Sequence, residues 1–172
     1  MILARLLTLW TIRISAALYV TATALWIVKR DAPARRAWTA ACLLYLGHAI
    51  AAFHFYHSWS HAHAYRETAR QTAEVFGILW GGGIYFNYVF SALWLADVCW
   101  WWRGLAAYRS RPRWIAATVE SFIAFMFFNA TVVFGRGWVR WFGVAATVGL
   151  SALAYISHTP VIFRDKTGET PS

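Results

Sequence analysis

Long apolar runs broken by short polar connectors set the pattern of this chain. Five runs can be drawn, at about 6–28, 38–59, 75–102, 114–134 and 138–158. Each holds the ~20 residues that a helix rising 1.5 Å per residue needs to cross a hydrocarbon core ~30 Å thick. The connectors carry the punctuation: KRDAPARR (29–36), RGLAAYRSRPR (103–113), the glycine turn GRG (135–137) and a polar tail over 159–172. Prolines and glycines in these connectors are where helices stop. The pattern predicts an all-α, single-domain protein over 1–172, a polytopic membrane helix bundle with five transmembrane helices.

Charge placement orients that bundle. Basic residues concentrate on the cytoplasmic side of membrane proteins. Setting the first and third connectors and the tail inside places Lys29, Arg30, Arg35, Arg36, Arg103, Arg109, Arg111, Arg113, Arg164 and Lys166 there. The outside keeps Arg5, Arg66, Arg70, Arg136 and Arg140, and Arg13 falls within the first run. The expectation is N-terminus out and C-terminus in, as in a bacterial-type inner membrane. Tryptophan prefers the headgroup level. Ten of the twelve lie near ends of runs, and only Trp80 and Trp94 fall inside one. The first run is longer than a signal-peptide core and is followed by a basic cluster, so it reads as a retained span.

Composition strengthens the membrane class. The chain is 60% hydrophobic and 13% charged, against ~25% charged in soluble domains. Its net charge of +9 sits in clusters between apolar runs, not interleaved with aromatics on one face, which argues against nucleic acid as a partner. The partners expected instead are the lipid bilayer and other membrane subunits or further copies of the chain. Cys42 and Cys99 have no CxxC spacing and read as apolar filler.

Ionisable and amide groups inside the runs are costly, so each is a functional hypothesis. They fall into two layers. Arg13, His48, Asn87 and Asn129 lie at middle to outer depth, with His54 and His57 further out. Asp97, Glu120 and His158 lie near the inner face. Asp97 and Glu120 are expected to pair with Arg103 or Arg113, or to snorkel; a proton relay ending at His158 is the alternative. Serines within the runs have no histidine–acid partner that spacing can establish, so a hydrolase finds no support.

Five of the six histidines stand between 48 and 63, in HAIAAFHFYHSWSHAH. No glycine or proline interrupts the chain from His48 to Phe76, which predicts a helix continuing past the membrane surface. On such a helix His54, His57 and His61 share one face, His48 is displaced by about 120°, and His63 points the opposite way. The shared face continues inward to Gly47 and Ala51, a small-xxx-small pair suited to close helix packing. Thr68 and Gln71 offer a capping-box spacing for the next helix.

Two readings of this face stand side by side. His54, His57 and His61 can act as metal ligands for copper, zinc or iron, or one of them for haem, in a redox or electron-transfer subunit. Alternatively, histidines line an outward-facing polar pocket at the interface, where a polar tip meets water. Six histidines are too few for the several boxes of a membrane di-iron hydroxylase. The segment FGILWGGGIYFNY (76–88) also has two readings. Gly77 and Gly81 form a GxxxG packing pair, or the glycines unwind the span beside Asn87 to line a cavity. The function expected from these features is a non-enzymatic accessory, assembly or transporter-like membrane component, with the metal or haem subunit as the alternative.

Overall fold

The computed structural model describes residues 2–159. Its elements in order are α1 (Ile2–Ile27), α2 (Asp31–Tyr56), α3 (His61–Phe76), α4 (Gly83–Trp102), α5 (Leu105–Arg109), α6 (Arg113–Phe128) and α7 (Trp138–His158). A π-helical turn, Asn129–Val133, prolongs α6. No strand occurs among the described residues. Among the described residues four helical stretches are long and apolar enough to cross a membrane: Ile2–Ile27, Asp31–Tyr56, Arg113–Val133 and Trp138–Ser157. Large side chains on their outer faces are bare, with Leu3, Leu43, Trp141, Val148 and Tyr155 between 60% and 74% exposed. Lipid tails are the solvent that tolerates such a surface.

The α1–α2 hairpin is the best-packed unit, and its seam is written in sevens. Thr8, Ser15 and Ala22 on α1 are buried at heptad spacing, as are Ala34 and Ala41 on α2, where His48 follows at the same step. Ser15 Oγ donates to the Ala41 carbonyl at 2.7 Å, and His48 Nδ1 lies 2.8 Å from the Thr8 carbonyl. One antiparallel register joins both rungs and sets Ala22 opposite Ala34. Small residues at the Ser15–Ala41 and Ala22–Ala34 rungs let the backbones approach, and a 3.5-residue period keeps the seam facing its partner. The expected small pair Gly47 and Ala51 does not do this work: a Cβ on Gly47 would meet nothing within 4 Å.

The third apolar run is not one helix. Residues 77–82 leave the helix that the run predicts, and α4 begins only at Gly83. Gly77 ends α3 in the left-handed region at φ 72°, with its N–H on the Ala73 carbonyl, a conformation that glycine adopts without steric cost. Gly81 passes so close to the Tyr65 carbonyl oxygen and ring that a Cβ would collide with both. The GxxxG pair is therefore a cap and a close crossing, and the unwound alternative is the one observed. Trp80, expected inside a span, sits in this link.

The second run is also cut short. α2 stops at Tyr56, and Ser58 and Trp59 adopt φ of 48° and 58°. These are left-handed conformations that cost a non-glycine residue ~1–2 kcal/mol each. The Trp59 N–H reaches back to the Phe53 carbonyl at 3.1 Å. Ser60 then caps α3, its hydroxyl accepting from the His63 N–H, as a serine at this position commonly does. The helix therefore does not continue from His48 to Phe76, and Thr68 and Gln71 lie inside α3 instead of at a helix start.

One end of the bundle is sealed by aromatic packing. Trp94 (3% exposed) touches Trp38, Tyr45 and Phe90 at ring separations of 5.3, 5.7 and 5.1 Å, and Tyr19 stacks on Phe127 at 4.5 Å. The two long basic connectors meet at this end, where Arg109 bonds Asp31 at 2.7 Å and Arg35 lies 4.2 Å over Trp102.

Candidate functional site

At the sealed, basic end a buried charge network closes the floor. Asp97 (4% exposed) accepts from Trp38 Nε1 at 2.9 Å, Tyr108 Oη at 3.0 Å and Arg111 Nη1 at 2.5 Å. The guanidinium of Arg111 stands 3.6 Å over the Tyr108 ring, which stacks on Trp101 at 4.6 Å and 7°. Burial and the facing carboxylate push the Tyr108 phenol well above its ordinary range, so it serves as a donor, not a titrating group. Arg111 also reaches Glu120 at 3.3 Å. The expected partners Arg103 and Arg113 are thus replaced by Arg111. Periodicity could not find it, because α5 folds the connector back under α4. His158 closes α7, and its side chain lies outside the described residues.

At the other end the bundle opens. A cleft of about 1620 Å³ runs among α2, α3, α4 and α6. Four histidines line it: His48, His57, His61 and His63. His54 does not, and its ring rests against Phe55 and Trp59. The predicted face is thereby rearranged. The break after Tyr56 swings His63 round to 5.7 Å from His57, although an unbroken helix would turn it away. His61 faces α4 instead, with Nδ1 2.9 Å from Tyr88 Oη and Nε2 3.4 Å from Tyr85 Oη. His54, His57 and His61 therefore have three different sets of neighbours. Among the described residues no three histidine, cysteine, aspartate or glutamate side chains converge as metal ligands do.

The helix α3 roofs the cleft and brings its polar face to it. Glu67, Thr68, Gln71 and Thr72 line the cleft, while Ala64 and Ala69 are buried. Arg70 bonds both Glu67 and Glu74, and Glu74 also takes Arg136 from the turn before α7 at 2.5 Å. This chain of ion pairs ties the roof to the far side of the bundle. Hydrogen bonds from Arg70 hold the Glu67 carboxyl below its ordinary range. Burial, with His63 adding to it, holds His57 below its usual value of 6.5, and His57 Nδ1 is buried with no hydrogen-bond partner among the described residues.

Deeper in the cleft lies the middle polar layer. Asn87 and Asn129 both line it. The Ser91 hydroxyl is shared between the Asn87 carbonyl at 2.8 Å and Tyr45 Oη at 3.3 Å. Asn129 opens the π-turn and donates Nδ2 to the Phe125 carbonyl at 2.8 Å. Such turns interrupt helices frequently at functional sites. Arg13 stands apart from this layer, between Trp10 and Trp138 at 5.5 and 5.0 Å. It lines a second hollow of about 770 Å³, between α1 and α7, that shares Tyr45 and Asn87 with the first. Three sequence signals were available for this site: Ser60 as a cap, the polar face of 61–76, and the glycines over 81–83. The phenols Tyr85 and Tyr88 carried none.

What fold and site together define is an all-helical bundle with four helices of membrane-crossing length and composition, sealed at one end and cleft at the other. Comparison with protein-family models, with curated proteins and with solved structures gives no match.

Proposed function

We propose that the chain is a multi-pass membrane component of non-enzymatic, accessory or transporter-like type, whose histidine-lined cleft holds an apolar ligand. The observation that carries this reading is the asymmetry of the bundle. The Asp97–Arg111 floor and the Trp94 cluster fill one end. The other end offers a concave, mostly apolar space with a few convergent polar groups, the usual form of a ligand site.

The reading includes five spans with the N-terminus outside. The fifth is α4, whose twenty residues measure ~30 Å. Its polar Asn87, Ser91 and Asp97 and its many aromatic rings lower its hydropathy. In support, the Arg109–Asp31 bond brings the two basic connectors to one end, which the positive-inside rule assigns to the cytoplasm of a bacterial-type inner membrane. The cleft then opens outward. Reporter fusions at residues 33, 108 and 170 should signal from the cytoplasm and one at 65 from outside; a cytoplasmic signal at 65 overturns the orientation.

Binding is tested with the full chain in lipid nanodiscs and radiolabelled pyrene. Saturable uptake above empty nanodiscs is expected. Ala52→Trp and Ala130→Trp, which place bulk in the cleft, should abolish it, while Leu43→Trp on the outer face should not. Uptake no greater than that of empty discs, or uptake indifferent to both cleft-filling variants, sinks the reading.

A further inference from the structure

Among the cleft-lining groups, His48 has the most constrained chemistry. A backbone carbonyl can only accept, so the 2.8 Å contact with Thr8 makes Nδ1 the donor. In the neutral ring that leaves Nε2 as an acceptor. The residue sits eight positions before the end of α2, or ~12 Å below it along the axis. A charged ring at that depth would be expensive.

The charge inventory narrows the ligand further. Among the described residues no lysine or arginine lines the cleft, and the one carboxylate that does, Glu67, is already engaged by Arg70 and Gln71. An anionic or cationic headgroup would enter without a free counter-charge, and burying an unpaired charge is strongly unfavourable. The walls of the cleft that His48 lines include Ile50, Ile84, Phe86, Phe125 and Met126, and the space exceeds the ~300–1,000 Å³ of ordinary small-ligand pockets. A long-chain or multi-ring body fits such walls and such a volume.

We propose that the cleft takes an uncharged, hydroxyl-bearing amphiphile from the bilayer, its O–H donated to Nε2 of His48 and its apolar body laid against α4 and α6. The proposal rests on the reading of the cleft as a ligand site and adds the chemistry of the ligand. His48 is a binding residue here, held in its tautomer by the α1 backbone.

The test uses the full chain in nanodiscs with three radiolabelled probes of equal chain length: hexadecanol, hexadecanoate and hexadecyltrimethylammonium. Hexadecanol should bind saturably, with the two charged probes weaker by about tenfold or more. His48→Leu should weaken hexadecanol by about tenfold, the loss of one buried hydrogen bond. His48→Gln retains a donor and an acceptor and should stay within about threefold. His54→Leu, outside the cleft, should bind as the parent does. A charged probe that binds as well as the alcohol, or a folded His48→Leu chain with parental affinity, overturns the proposal while leaving pyrene uptake intact. Loss of pyrene uptake as well places the failure in the ligand-site reading itself.

Discussion

Arg111 Nη1 stands 2.5 Å from Asp97 Oδ1, and both side chains are 3% exposed. The pair joins the α5–α6 connector to the last turns of α4, so the basic end closes only when α5 folds back under α4. Removing one partner leaves the other charge buried alone, which costs ~3–5 kcal/mol. Asp97→Asn and Arg111→Met should each destabilise the chain by about that much in a denaturant titration. The double variant should cost less than the two added together. Additive losses would mean that the two groups are not coupled.

Gly81 tests the crossing between the link and α3. A Cβ there would strike the Tyr65 carbonyl oxygen, a backbone atom that cannot swing aside as a flexible side chain can. Gly81→Ala should therefore destabilise by ~1–3 kcal/mol, the usual cost of overpacking. Gly47→Ala should be neutral or slightly stabilising, because its site is empty and alanine favours helix. Equal stabilities for the two variants in the same titration would contradict the crossing.

The contrast between these glycines shows what could be read from the sequence. Apolar runs of membrane length stood out because they depend only on local composition, and four helices of that kind are present. The break at Ser58 and Trp59 was hidden, because those residues adopt positive φ without glycine or proline to announce it. Beyond Tyr56 an unbroken helix has the wrong phase, and it turns His63 away from His57 where the break brings the two together. The Asp97 floor was half legible. Burial of an acid requires a partner, but which arginine supplies it depends on α5 and not on any period. The α1–α2 seam shows in the sequence as small residues at heptad spacing, whereas Gly47, expected to pack there, has open space beside it.

The roof of the cleft should respond to pH through His57. Burial, then His63, lower its proton affinity in the folded state, with Glu67 opposing. The unfolded chain therefore takes up the proton first as pH falls. This contribution to stability is complete above about pH 6.5 and is lost as pH drops below that value toward the folded-state pKa. The Glu67 carboxyl is lowered as well, so its contribution is complete above its ordinary value of 4.5 and is lost as pH falls below that value. Between those limits Glu67 adds no slope, and His57 does. Hydrogen exchange across 61–76 should lose protection from pH 8 to pH 5, and His57→Gln should flatten that loss. An unchanged pH slope in His57→Gln would remove this residue as the cause.

The α1–α2 seam makes the last prediction, because its rungs share one register. Ser15 is 2% exposed and donates to the Ala41 carbonyl. Hydrogen bonds between membrane helices are worth ~0.6 kcal/mol on average, so Ser15→Ala should cost about that much. Its smaller side chain also leaves the backbones free to approach. Ser15→Leu differs in kind. It adds bulk where the Ala41 backbone already lies in contact, and overpacking of this sort costs ~1–3 kcal/mol. Forcing α1 and α2 apart at this rung also lengthens the next one, seven residues on, where Thr8 holds His48. Ser15→Leu should therefore weaken hexadecanol binding although Ser15 does not line the cleft. Ala17→Leu, on the exposed side of α1, adds the same bulk and should change neither stability nor binding. If Ser15→Leu and Ala17→Leu behave alike in the titration, the seam is not what joins the hairpin.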